Sequence, residues 1–267
     1  MEHKYIKYKT KYLELKNNNM LMDGGGKTSV KQIYFIRHGQ TIWNKQGKTQ
    51  GQEADIELND IGINEATITG KYLKKFRTLN KEFDCIISSP MLRCSKTASI
   101  IATELEFDNK IIYNDDIKEV KKGNMSGLTN DDELIIEFNK CVNDKIKKIK
   151  DPIIKYEIDD PYKAEEFYEK IIEENNLNIT GIENNHELLR RVDKFINFLN
   201  KTKCKKIIVV SHSGILDILL KIIFKINVLP KGDMKNGKNC SICYCTLKNN
   251  LFSMVSPQNT EHLGLIL

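Results

Sequence analysis

The sequence predicts an α/β fold, a three-layer αβα domain with a mainly parallel central sheet, an antiparallel edge strand and a helical cap insertion. Three observations carry that reading. Short apolar runs alternate with amphipathic segments of helical length, the pattern of strands joined by crossover helices. Two of the runs, at 33–36 and 207–210, are apolar throughout, as strands covered on both faces are. A charged, helix-like stretch without strand character, about 128–186, interrupts the alternation.

In chain order, Ile33, Tyr34, Phe35 and Ile36 form the first strand. Asn59 or Asp60 can cap a following helix that presents Ile63, Ala66, Leu73 and Phe76 on one face. Phe83 to Ile87 is the next strand, and Ser88, Ser89 and Pro90 turn into a helix through Leu105 with Ala98, Ile101, Ala102 and Leu105 facing inward. Lys110 to Tyr113 is a further strand; the insertion after it carries Pro152 and Pro161. A helix from Glu187 to Leu199 has Leu188, Val192, Phe195 and Leu199 on its apolar face and leads to the strand at 207–210 and a helix at 215–224. Ile242 to Leu247 and Leu251 to Val255 flank Lys248, Asn249 and Asn250 as a hairpin on the sheet's edge. Ahead of this domain at 30–267, Tyr5, Tyr8, Tyr12 and Leu15 lie at helical spacing among lysines, which predicts a basic amphipathic helix over 1–16 and a polar, glycine-rich linker to 29. Gly24 to Thr28 is not a P-loop, because Leu21 stands where the first glycine belongs and no strand precedes it.

At 267 residues and 40% hydrophobic, the chain can bury a sizeable core. No apolar run approaches the ~18 to 20 residues of a membrane helix, and no signal-like stretch opens the chain, so a soluble, cytoplasmic protein with no membrane partner is expected. Seven scattered cysteines predict free thiols rather than a disulfide scaffold. Cys240, Cys243 and Cys245 are expected to split between strand faces and to pack rather than bind zinc. The basic run Lys145, Lys147, Lys148 and Lys150 sits among acidic residues and reads as a solvated helix face, not a nucleic-acid groove.

The net charge of +6 does not choose a partner, but the basic residues are nearly all lysine. Arginine occurs only at 37, 77, 93, 190 and 191, and a flat fork of donors is what two phosphate oxygens need. Arg77 and Arg190 suit a helix surface. Arg37 and Arg93 do not: Arg37 adjoins His38 and Arg93 opens the helix after a third strand, while His38 and His212 each follow a strand end. The carboxyl edge of an open parallel sheet is where ligands bind, so neighbouring strands would bring both imidazoles together, with Gly39 and Gly214 letting the backbone approach a ligand. One imidazole can attack phosphorus while guanidinium groups and a second imidazolium neutralise the equatorial oxygens, and no metal is needed. Glu119, flanked by Lys118, Lys121 and Lys122, is placed to protonate the leaving alkoxide. His3, His186 and His262 match no motif and are expected at the surface or at element ends.

Arg37, His38, Gly39, Gln40, Thr41 resembles the signature of the histidine phosphatase superfamily, which includes cofactor-dependent phosphoglycerate mutases. Trp43, Asn44, Gln50, Gly51, Leu58, Gly62, Glu65 and Ala66 extend the resemblance, as do Ser88 to Arg93 with Thr97 and Ala98, Val210 to Gly214, and Asn239 to Ile242. The resemblance implies that His38 becomes phosphohistidine, that Arg37, Arg93 and His212 hold the phosphoryl group, that Glu119 donates the proton, and that Asn44, Gln50, Gly51, Ser213 and Gly214 line the substrate. Gly181, Ile182, Glu183 and Arg191 resemble a phosphatase-type segment, which implies that Arg191 braces the pocket from behind. The implied activity is a metal-independent phosphomonoesterase on a small phosphorylated metabolite, without cofactor, and dimers are common in the family.

Ser213, Asp217 and Ser126 depart from the family's usual residues, and Val120 stands where mutases carry a carboxylate-gripping arginine. A phosphoglycerate mutase, primed by 2,3-bisphosphoglycerate, is the alternative that the long insertion supports. An inactive phospholigand-binding or virion-associated protein is another, because the Lys- and Tyr-rich leader is similar to segments on proteins of giant DNA viruses, which would place the protein in host cytoplasm or virion.

Overall fold

The computed structural model describes residues 30–75, 82–149, 164–224 and 238–264. The leader helix and linker over 1–29, Phe76, Arg77, Lys150, Pro152 and Pro161 lie outside them. The first strand, β1 (Lys31–Arg37), is followed by a one-turn helix α1 (Ile42–Lys45) and by α2 (Asp60–Lys75). Then come β2 (Cys85–Ser88), α3 (Leu92–Glu104) and the two-residue β3 (Ile112–Tyr113). The insertion contributes α4 (Glu133–Lys148) and α5 (Ala164–Glu174), after which α6 (Asn185–Lys201), β4 (Lys206–Ser211) and α7 (Ser213–Phe224) return to the sheet. The chain ends in β5 (Ile242–Lys248), β6 (Leu251–Asn259) and a short α8 (Glu261–Gly264).

The six strands lie in the order β3-β2-β4-β1-β5-β6. Strands β1 to β4 run parallel, whereas β5 and β6 are antiparallel to their neighbours, so the expected hairpin closes the sheet at one edge. Its turn suits Asn249 and Asn250, both at positive φ (52° and 62°), a region asparagine tolerates better than most residues.

Alternation along the strands builds the layers. Ile33, Phe35, Ile207 and Val209 point to one face and meet Leu188, Val192, Phe195 and Leu199 of α6 with Ile215, Leu216, Leu219 and Leu220 of α7. Ile36, Ile86, Ile208 and Val210 point to the other and meet Leu73 of α2 and Ala98, Ile101 and Leu105 of α3. The inward face of α2 is Gly62, Ala66, Thr69, Gly70 and Leu73, while Ile63 is solvent-facing, since the small residues are those that let α2 lie close to its neighbours. The insertion has its own apolar cluster of Ile171, Leu177 and Ile179 with Leu134, Phe138 and Ile172. In it Lys145 pairs with Glu174 and Lys147 with Asp144, as a solvated face would.

Two expectations are corrected. Cys85 and Cys204 are bonded as a disulfide, their Cα atoms 6.1 Å apart, because β2 and the approach to β4 are adjacent; the other five cysteines are free. The three late cysteines split as expected, Cys240 toward Thr69 of α2 and Cys243 and Cys245 on the opposite face in the core with Ile33 and Phe35. His262 is buried, its Nε2 3.0 Å from Thr69 Oγ1 and its ring 5.0 Å from that of Tyr72, because α8 folds back onto α2. His186 and Arg190 are exposed as expected. Among the described residues no helix is long and apolar enough to cross a membrane.

Candidate active site

Register decides which residues meet. Arg37 pairs with Ser211 as the last residues of β1 and β4, so the next residue of each strand, His38 and His212, leaves the sheet at the same edge. The two rings lie 5.3 Å apart, centroid to centroid, at 62°. The His38 amide donates to Ser211 O (2.9 Å), and Cys240, leading into β5, donates its amide to Arg37 O (3.1 Å). Asn239 Nδ2 adds a bond to His38 O (3.0 Å). The segment bearing His38 is thus fixed from both sides.

Both tautomers follow from their partners. His38 Nδ1 lies 2.8 Å from the Gly39 carbonyl, which can only accept, so Nδ1 carries the proton and Nε2 keeps its lone pair. Arg93 Nε donates to His212 Nδ1 (3.1 Å), so the His212 proton sits on Nε2, 2.9 Å from Ser89 Oγ. Burial, then the guanidinium charges of Arg37 and Arg93, hold the His38 pKa well below 6.5. Burial first, then Arg93, His38 and Arg37, does the same to His212. The expected imidazolium at 212 is therefore a neutral imidazole here, acting as an N–H donor.

Arg93 is fully buried on the first turn of α3. Its Nη2 donates to Gly51 O (3.1 Å), while among the described residues its Nη1 has no hydrogen-bond partner. A buried N–H without an acceptor is costly, and an anion in the gap between the histidines would satisfy it. Arg37 is half-buried, its pKa lowered by desolvation with Glu119 and Glu65 acting against that. Among the described residues no group of three or more His, Cys, Asp or Glu gathers as a metal site.

Two glycines at this edge let neighbouring groups approach closely. A Cβ on Gly39 would sit 2.4 Å from Gly62 O, and one on Gly214 2.6 Å from Glu119 Oε1. The Glu119 carboxylate, buried at the start of α7, accepts from the amides of Val120 (2.9 Å), Gly214 (3.2 Å) and Ile215 (3.0 Å). The expected lysine cluster does not form around it: among the described residues no lysine makes an ion pair with Glu119, and Lys118 pairs with Asp115 instead.

Asn44 and Gln50 turn their oxygens to Thr41, with Asn44 Oδ1 3.1 Å from Thr41 N and Gln50 Oε1 3.1 Å from Thr41 Oγ1. That leaves their amide nitrogens as donors. Ser213 is half-buried at the first position of α7. Ser126 Oγ is buried without a partner among the described residues. Sequence reasoning missed Gln52, whose Nε2 donates to Glu119 O (2.6 Å), and Glu53, whose Oε1 accepts from the amides of Lys122 (2.9 Å) and Gly123 (2.8 Å). Neither carries a local signal; only the position directly after Gly51 hints at them. Cys94 also escaped notice, its Sγ 3.3 Å from His212 Nε2.

Comparison with known families gives a match to the histidine phosphatase superfamily (branch 1) over residues 33–145 and 156–260. The chain belongs to that superfamily. The "Uncharacterized phosphatase PhoE" of Bacillus subtilis (strain 168) is 40% identical over 96 residues, 36% of this chain and 46% of that relative, so the shared stretch is less than half its length. A "Metal-independent phosphoserine phosphatase" of Arabidopsis thaliana is 27% identical over 242 residues, covering 90% of this chain and 86% of the relative. A phosphoglycerate mutase crystal structure from Bacillus anthracis str. Sterne superposes with a TM-score of 0.65 at 20% identity, over 89% of this chain and 96% of that one. At that identity the likeness is one of fold. A histidine phosphatase fold is what the sheet order and its flanking helices form.

Proposed function

We propose that the chain is a metal-independent phosphomonoesterase that passes a phosphoryl group through His38. The observation that carries the reading is the pair of facing imidazoles, one with a free Nε2 lone pair, beside the unpartnered Nη1 of buried Arg93. In the first step Nε2 of His38 attacks phosphorus, the bond from phosphorus to the ester oxygen breaks, and Glu119 in its protonated form gives that oxygen its proton. In the second a water attacks the phosphohistidine, its proton passes to the Glu119 carboxylate, and the P–N bond breaks to free phosphate and the imidazole. Arg37, Arg93 and the Nε2–H of His212 bear the charge of the equatorial oxygens throughout.

Asn44, Gln50, Gly51, Ser213 and Gly214 are assigned to the substrate's surroundings, and a small phosphorylated metabolite fits that scale. The name of the Arabidopsis relative makes phosphoserine the first compound to try. A mutase primed by 2,3-bisphosphoglycerate needs a further cation beside the acid, and Val120 instead packs against the core. Incubation with an aryl phosphate, phosphoserine and 3-phosphoglycerate tests the proposal: free phosphate is expected from at least one, and its loss in His38→Ala. Isomerised product would assign a mutase, while ligand binding without turnover would assign an inactive binding protein.

A further inference from the structure

The chain reaches Glu119 through one 3-10 turn, Asp115–Ile117, and the four successive carbonyls from Asp116 to Glu119 are each held by a side chain. Arg191 Nη1 donates to Asp116 O (2.9 Å) and to Lys118 O (2.7 Å), and its Nη2 to Glu119 O (3.2 Å). Ser211 Oγ takes Ile117 O (2.8 Å), and Gln52 shares Glu119 O. The remaining two donors of Arg191 go to Glu183, Nε to Oε1 (2.6 Å) and Nη2 to Oε2 (2.8 Å). All five N–H groups of the guanidinium are thereby used. The pair is enclosed, with side-chain exposures of 12% for Arg191 and 4% for Glu183.

Glu183 belongs to the chain's return from the insertion. Its amide donates to Lys121 O (3.2 Å), its Oε2 accepts from Lys121 N (3.2 Å), and Lys122 and Ile182 form an isolated bridge. One ion pair therefore joins the returning end of the insertion to both flanks of Glu119. The hydrogen bonds of Arg191 all go to Glu183 and to the main chain that carries Glu119, behind the pocket.

We infer that Arg191, oriented by Glu183, is the positioning residue of the acid Glu119. It sets where the carboxyl stands relative to the leaving oxygen, and so governs protonation of the leaving group rather than attack on phosphorus. The inference rests on the phosphohistidine reading. Loss of the fork leaves three loop carbonyls without a cation, so the loop relaxes and the carboxyl moves off the line of proton transfer, where small displacements are expensive.

The test is kcat/KM, which reports events up to formation of the phosphohistidine, on two substrates. An aryl phosphate leaves as a stable phenolate that needs little protonation, whereas an alkyl phosphate leaves as an alkoxide that needs it. In Arg191→Met the alkyl value is expected to fall by about 100-fold and the aryl value by less than about tenfold, with partial recovery in Arg191→Lys. Equal loss on both substrates, or no loss, overturns the inference. Glu183→Gln keeps a hydrogen-bonding group in place and is expected to skew the two substrates in the same direction. If Arg191→Met does not fold by circular dichroism, Glu183→Gln decides alone: a skew supports the inference and equal values overturn it. Absence of phosphohistidine in the unmodified protein would instead remove the underlying reading, and this inference with it.

Discussion

His38 and His212 face each other across 5.3 Å at the ends of two adjacent parallel strands, and neither ring owes its position to its own loop alone. The β1 and β4 register brings them level, the Gly39 carbonyl orients the first, and Arg93 with Ser89 orients the second. This pairing makes one nitrogen, Nε2 of His38, the only available nucleophile of its ring.

Arg93→Lys keeps a charge but removes the fork that binds His212 and Gly51 O and that the proposed reaction uses on the phosphoryl group. A loss of about 100-fold or more in kcat/KM is expected, with weaker competitive inhibition by inorganic phosphate or vanadate. A variant as active and as strongly inhibited as the parent would show that Arg93 does not touch the phosphoryl group.

Activity should persist into acid. Burial and two guanidiniums depress the His38 pKa well below 6.5, and the reactive form is the neutral one, so lowering the pH through 6.5 leaves it unprotonated. The acid limb of kcat/KM is therefore expected below pH 6.5, read between about pH 4 and about pH 8. A half-maximal point at or above neutrality contradicts the geometry.

Glu119→Gln is expected to lower kcat/KM for an alkyl phosphate by roughly 100-fold or more while an aryl phosphate loses far less. The amide oxygen in the place of Oε1 still accepts from the Val120 and Ile215 amides, and only the longer bond from the Gly214 amide to Oε2 is lost. Equal activity of variant and parent on the alkyl ester would assign the acid elsewhere.

His262 supplies a stability test away from the reaction. Burial lowers its pKa to about 4, so the unfolded chain binds this proton more readily than the folded one, and the contribution of His262 is full above 6.5 and lost as the pH falls toward 4. Between those values it adds a slope of up to about 1.4 kcal/mol per pH unit to the unfolding free energy. Denaturation of His262→Gln should show a flatter slope over that range; an unchanged slope means the imidazole is not buried uncharged.

Much of the fold was readable because it depends on period and composition within single segments. The stripe Leu188, Val192, Phe195 and Leu199, the runs at 33–36 and 207–210, and the asparagines of the last hairpin each announce themselves locally. Arg37, His38 and His212 were readable as strand-end residues and Arg93 as the opening of the helix after a strand. What escaped depends on contacts between distant segments. Ile63 alternates like a core residue and faces solvent, because Gly62 and Gly70 decide how α2 packs. His262 sits in a short terminal helix whose burial is set by Thr69 and Tyr72, nearly the whole chain away. The Arg191 fork uses main-chain carbonyls as acceptors, and a carbonyl leaves no trace in sequence.

The most direct measurement is the position of the covalent phosphoryl group. Rapid quenching in base during turnover of an aryl phosphate, followed by peptide mass spectrometry and phosphorus NMR, should find one acid-labile, base-stable phosphate on His38, attached at Nε2. Phosphate on Nδ1, on His212, on a serine, or on no residue at all while product still forms, would contradict it.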